Sequence, residues 1–279
     1  MHQSLATRFG KNRRSIVAAM PLTDDQIRGV APSIFADEKH SSRSARYSYI
    51  PTIDVLRGLQ KEGFQPFMAG QSGTRIEGKE AHTKHMLRLR HADQIVGKEA
   101  NEIILINSHD GTSSYQMLAG CFRFVCMNGM ICGETTNDIR IKHSGDITHN
   151  VIEGAFRVLD EFDIVNEQRD GMKSLTLNRS EQAAFANAAL HLKYDVTDLV
   201  PAPVTEDQIL RARRTEDRAD DMWTTFNRVQ ENLVRGGLRT QSANGRRTTT
   251  REVTGIDQST KLNRALWTLA ESMRLLKAA

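Results

Sequence analysis

Two amphipathic stripes near the end of the chain stand too far apart for an ordinary helical connection, and that separation constrains the fold most. Over about 205–234, Ile209, Ala212, Ala219, Met222, Trp223, Phe226, Val229 and Leu233 recur at helical spacing and stop at Gly236-Gly237. Over about 257–277, Leu262, Leu266, Leu269, Met273 and Leu276 do the same. Helix connections in compact domains run ~2 to 8 residues. This one takes nearly twenty, so the spacing predicts two antiparallel helices with a built excursion between them. At its centre Asn244-Gly245 is the dipeptide that two-residue hairpin turns prefer, because both positions tolerate φ > 0. The flanks 239–243 and 246–250 are long enough for short strands.

The excursion is also where the charge is. Asn232 to Arg251 holds five arginines (Arg235, Arg239, Arg246, Arg247 and Arg251), three adjacent threonines and no acid. The formal net charge of the chain is +4, so this segment accounts for the whole positive balance. A guanidinium forks onto two phosphate oxygens and threonine hydroxyls add uncharged donors, so an arginine-rich ribbon suits a nucleic-acid backbone. The competing reading is a solvated loop whose arginines pair with Glu252 and Asp257.

Ahead of the helices the signals change. A first helix is expected after Pro21, capped by Thr23 or Asp24, and another over Thr52 to Lys61, where Ile53, Leu56 and Leu59 form a stripe ending before Gly63. Strands are expected at 64–68, through the alternation Thr83, His85, Leu87, Leu89, and at 102–106 before the Asp110-Gly111 turn. Residues 115–126 fit both a buried helix ended by Asn128-Gly129 and a strand leading into an Asn-Gly hairpin; the helix is the expectation. Met130 to Cys132 and Ile139 to Ile141 read as strands, and two further helices follow, one on Val151, Ala155, Val158 and Phe162, the other after a Ser180 cap. The fold class is therefore α+β: an antiparallel sheet with helices in the N-terminal part, then a C-terminal antiparallel helix pair with a basic β-ribbon insertion. The expected division is a core domain over 1–200 and a helical hairpin over 201–279, with the insertion at about 235–252.

Composition excludes several classes. With 39% hydrophobic and 26% charged residues the chain is too apolar for a disordered protein. No window approaches the ~18 uninterrupted apolar residues of a membrane span, and residues 1–14 lack an apolar leader, so a cytoplasmic protein of a prokaryotic or phage-like setting is expected. Cys121, Cys126 and Cys132 cannot converge on a metal from either a strand or a helix, so they are expected as buried thiols, with no metal or cofactor.

A second binding candidate is Arg43, Arg46, Tyr47 and Tyr49, where arginines interleave with aromatics that can stack on unpaired bases. A third is the basic run from Arg75 to His91. Phosphate-binding loops, dinucleotide fingerprints, zinc-protease helices and nucleophile elbows are absent. Asp54 with Glu77-Gly78-Lys79 is the nearest enzymatic pattern, an acid, acid, lysine set of metal-dependent nucleases. His109-Asp110-Gly111 is explained by a turn.

Three strings carry a family resemblance: Phe122-Arg123-Phe124-Val125-Cys126-Met127-Asn128-Gly129-Met130, Gln230-Glu231-Asn232-Leu233-Val234-Arg235-Gly236-Gly237 and Asn263-Arg264-Ala265-Leu266-Trp267. With them, from about residue 40 to the end, the chain resembles the phage- and plasmid-associated family known as domain of unknown function 932. The resemblance implies residence on mobile elements and supplies no catalytic residues. The layout of residues 49–111 is similar to that of ring-forming single-strand annealing proteins. The resulting expectation is a non-enzymatic, homo-oligomeric protein that binds DNA, chiefly single-stranded, in annealing, protection or recombination. The alternative is an anti-defence protein that inhibits a host nuclease or defence complex by protein binding, and the third reading is a metal-dependent nuclease.

Overall fold

The computed structural model describes residues 15–43, 49–96, 98–126, 128–132, 139–141, 147–197, 199–242 and 244–278. In chain order the elements are β1 (Ser15–Val17), α1 (Asp24–Val30), α2 (Thr52–Lys61), β2 (Phe64–Gln71), β3 (His85–His91), β4 (Ile95–Val96), β5 (Glu99–Asn107), β6 (Tyr115–Arg123), β7 (Asn128–Ile131), β8 (Ile139–Ile141), α3 (Ile147–Ser174), α4 (Arg179–Lys193), α5 (Glu206–Leu210), α6 (Met222–Arg235), β9 (Arg239–Gln241), β10 (Arg247–Thr249) and α7 (Ile256–Ala278). The fold is α+β, and the chain divides into two compact units, residues 1–118 with 139–157 and residues 119–138 with 158–279. The divisions fall within β6 and α3.

The first unit is built on a sheet in which β1, β2, β3, β5 and the start of β6 are successive neighbours, with β4 on β5 and β8 on β6. The pairs β1/β2, β2/β3, β3/β5 and β6/β8 are antiparallel. Thr23 caps α1 through a reciprocal box with Gln26. Helix α2 buries Thr52, Val55, Leu56 and Leu59, each apolar side chain contributing roughly 1.5–3 kcal/mol. Past its end Gly63 takes φ 90°, where a Cβ would meet the His91 ring at 2.6 Å, so only glycine fits this corner.

All nine residues of β5 are buried, so the sheet is covered on both faces there. The strand part of the basic run from Arg75 to His91 is therefore no surface, while Arg75 is exposed and Lys79 and Lys84 are half-buried. Arg88 and Arg90 are buried and donate from Nε to the two oxygens of Glu102, at 2.5 Å and 2.7 Å. The guanidinium of Arg90 lies 4.3 Å from the centre of the Phe67 ring.

In the second unit the end of β6 pairs antiparallel with β7, Cys121 opposite Met130. Residues 115–123 are thus a strand, contrary to the helix expected. A run of apolar residues satisfies either geometry; here neighbouring strands take up the backbone donors and acceptors, with β8 along 115–117 and β7 along 120–123. Cys121, Cys126 and Cys132 are buried and no disulfide joins them.

The long helix expected over 205–234 is two helices. The Thr205 box starts α5, which ends after five residues, and Asp221 restarts the chain as α6 by accepting the Thr224 N–H at 2.8 Å. Between them the 3₁₀ turn Thr215–Asp217 delivers Asp217 to Arg123 and Arg214. Similarly α4 is capped by Asn178 with Glu181, two residues before the Ser180 expected.

Every residue from Met222 to Leu233 is buried, polar ones included, so α6 is surrounded on all sides. Gln230 meets Asn263, while Trp223 and Phe226 meet Trp267, so α6 and α7 run antiparallel as expected. The final stripe is only partly core: Leu262 and Leu266 are buried, whereas Leu276 is 80% exposed. No helix among the described residues is long and apolar enough to cross a membrane.

Candidate nucleic-acid interface

The excursion between α6 and α7 forms an antiparallel ribbon, with Arg239 opposite Thr249, Thr240 opposite Thr248 and Gln241 opposite Arg247. Its turn is wider than the two-residue type expected. The Ser242 N–H donates to the Arg246 carbonyl at 2.9 Å, the Gly245 N–H donates to the Ser242 carbonyl at 2.8 Å, and Gly245 takes φ 72°. The Ser242 hydroxyl also accepts the Arg246 N–H at 3.2 Å, a local bond that favours the longer loop.

The base of the ribbon is held firmly. Gly236 closes α6 at φ 63°, and a Cβ there would lie 2.7 Å from the Thr250 carbonyl oxygen and the Arg251 backbone. Arg213 donates to the Asn232 side chain at 2.7 Å and to the Gly236 carbonyl at 2.6 Å. The Gly237 and Thr250 N–H groups bond across the two strands at 2.8 Å and 2.9 Å. One edge of β9 is tied down as well, since Gln208 donates to the Arg239 carbonyl at 2.8 Å and the Thr240 hydroxyl donates to the Pro203 carbonyl.

The five arginines fall into two groups. Arg235 belongs to the scaffold, with its guanidinium 3.5 Å from Glu231 and donating to the Cys126 carbonyl. Arg239, Arg246, Arg247 and Arg251 are exposed, and none of them forms an ion pair among the described residues. The pairing with Glu252 and Asp257 that would make this an ordinary solvated loop does not occur there.

Of the second candidate surface, in the first unit, only Arg43 and Tyr49 lie within the described residues. Arg46 and Tyr47 fall outside the described residues. Arg43 is exposed, its side chain over Gly111. Tyr49 is half-buried, donates its hydroxyl to the Ala36 carbonyl and packs its ring 4.8 Å from that of His109. These contacts anchor the ring to the loop of Ala36 and to His109. Of the acid, acid, lysine set, Lys79 is bound to Asp110 at 3.1 Å, while Asp54 and Glu77 are exposed.

His109 joins a buried polar chain that no sequence motif announces. His85 Nδ1 lies 3.1 Å from the Thr83 carbonyl, which can only accept, so Nδ1 carries the proton and Nε2 accepts from the Thr52 hydroxyl at 2.8 Å. Thr52 in turn accepts from Asn107 at 3.0 Å and faces His109 Nε2 at 3.4 Å. Ser33 lies 3.0 Å from His85 Nδ1 and donates to Gln71 at 2.7 Å. Burial pushes His85 down to about 4, and burial with the neighbouring His85 and His82 pushes His109 down to about 3. These rings are neutral structural links between the sheet, α2 and the loops around it. At Asp110 burial opposes ionisation, yet bonds from Thr112 and the Lys79 ammonium outweigh it and hold the carboxyl below its ordinary value.

The strings that carry the family resemblance converge in the second unit. Arg123 reaches Asp217 at 2.6 Å, Asp217 holds Arg214 at 2.6 Å, and Arg214 forks onto Glu231 at 2.6 Å and 2.8 Å. They form the socket from which the ribbon rises. A family model described as "Domain of unknown function (DUF932)" matches residues 39–267. Two proteins of Escherichia coli (strain K12), UPF0380 protein YafZ and UPF0380 protein YfjQ, are 54% and 53% identical to the chain over 269 residues, covering 96% of it and 97% of each relative. No solved structure matches.

Proposed function

The chain belongs to the family described as domain of unknown function 932, and from that premise we propose that it is a DNA-binding protein of a mobile genetic element that grips the phosphate backbone with its basic ribbon. The observation that carries this reading is four exposed arginines, with no ion pair among the described residues, on a hairpin whose base is locked into a charged core. Leaving cations unneutralised on a held frame lowers the ordering cost of binding a polyanion. A preference for single strands draws on Tyr47 and Tyr49 as a stacking platform. Tyr49 is engaged by Ala36 and His109, so the ribbon is what carries the binding reading.

The test is a salt titration of labelled single- and double-stranded oligonucleotides, with the protein's mass in solution measured alongside to read the homo-oligomer expected. Each arginine on a phosphate adds roughly −0.7 on single strands or −0.9 on duplex to the slope of log affinity against log salt, up to about −4 if all four do so. Replacing Arg239, Arg246, Arg247 and Arg251 together by glutamine abolishes binding; unchanged binding rejects the reading.

A second reading is a protein-binding inhibitor of a host nuclease or defence complex. It is favoured by Leu199 and Val200, 92% and 60% exposed on a turn beside α4, whose own Leu192 is 44% exposed. Absence of any oligonucleotide affinity, with capture of one host protein lost on Leu199→Ser, favours this reading over the first.

A further inference from the structure

The pairing register sorts the ribbon's side chains by face. Residues directly opposite one another in an antiparallel pair lie on the same side. Arg239 with Thr249, and Gln241 with Arg247, therefore share one face, and Thr240 with Thr248 the other. The Thr240 hydroxyl is bound to the Pro203 carbonyl, so the threonine face turns toward the protein at that end. Arg239, Gln241, Arg247 and Thr249 are all exposed on the opposite face.

This set is chemically different from a phosphate-binding surface. Glutamine brings no charge to a phosphate, but its amide matches the N6 and N7 edge of adenine, as arginine matches the O6 and N7 edge of guanine and threonine the thymine methyl. A two-stranded ribbon fits the B-form major groove, about 12 Å wide, and not the minor groove, about 6 Å wide. Arg246 and Arg251 stand outside the ladder at either end of β10, where flanking phosphates would lie.

We propose that the ribbon enters the major groove of duplex DNA and reads base edges with Arg239, Gln241 and Arg247, while Arg246 and Arg251 hold the backbone. This rests on the DNA-binding reading above and narrows its substrate to double-stranded DNA with sequence preference. A-form RNA duplexes are not substrates, because their major groove is too narrow for side chains to read.

The experiment is selection of bound sequences from a pool of randomised duplex DNA by the full chain, followed by affinities for a selected and a scrambled duplex. The selected duplexes share a short site containing guanine and adenine. Gln241→Ala lowers the preference at the adenine by about 5- to 150-fold without changing affinity for the scrambled duplex, and Gln241→Glu moves that preference toward cytosine. Arg246→Gln weakens both duplexes equally and lowers the salt slope by about 1. A bound pool that stays random, or equal competition by single strands or duplex RNA, overturns the inference while the DNA-binding reading stands. Loss of all binding to DNA of either form overturns both.

Discussion

Arginine plays opposite parts in α6 with its surroundings and in the ribbon that follows it. Around α6, Arg123 and Arg214 share the buried Asp217, and Arg214 and Arg235 share Glu231. A few residues on, Arg239, Arg246, Arg247 and Arg251 are exposed and form no ion pair among the described residues. Identical side chains are structural where an acid is folded against them and available to a ligand where none is. Charge in the sequence is thus a poor guide to charge at a surface.

The comparison breaks most visibly at Asp217. Asp217→Ala strands the buried guanidinium of Arg123 and leaves Arg214 on Glu231 alone, and is expected to cost about 3 to 5 kcal/mol, measured as a fall in the urea midpoint; a loss under about 1 kcal/mol would mean that water replaces the carboxylate.

Acid probes the buried polar chain of the first unit in the same spirit. His85 and His109 bind a proton near 6.5 when unfolded and only near 4 and 3 when folded, so their contribution is complete above pH 6.5 and lost as pH falls through that value. Together they remove about 3 kcal/mol by pH 5.5, and His109→Gln halves that pH dependence. A flat stability between pH 7 and 5 would show that the rings are already protonated or hydrated.

Gly236→Ala tests the joint between the two arginine environments. The added methyl meets the Thr250 carbonyl oxygen at 2.7 Å, so a loss of about 1 to 3 kcal/mol is expected, with weakened DNA binding through a displaced ribbon. Unchanged affinity would mean that the ribbon needs no fixed base.

The smallest effect on stability belongs to the ribbon itself. Replacing its four exposed arginines by glutamine should move the melting temperature by no more than about 2 °C while removing DNA affinity. A large fall in melting temperature would place these arginines with the scaffold instead.

Elements defined by local chemistry are legible in the sequence. The Thr23 cap, the end of α2 before Gly63, and the α6, ribbon and α7 order all follow from capping, turn and periodicity signals acting within a few residues. Residues 115–123 mislead because an apolar run satisfies helix and strand equally until neighbouring strands claim its backbone. The break before α6 is hidden because a stripe of apolar residues continues through it, while the cause, Asp221 capping α6 and Asp217 binding Arg123, spans up to 94 positions. Gln241 is inconspicuous for a simpler reason. It is uncharged, and only the β9/β10 register places it beside Arg247.

By itself, then, the sequence determined the class of each strongly patterned segment and the location of the acid-free basic stretch, because hydrophobic period and composition act locally. The tertiary structure alone decided which arginines are neutralised. Ion pairing depends on approach within a few ångströms, and Arg123 with Asp217, or Arg214 with Glu231, meet across stretches of chain that no local pattern links.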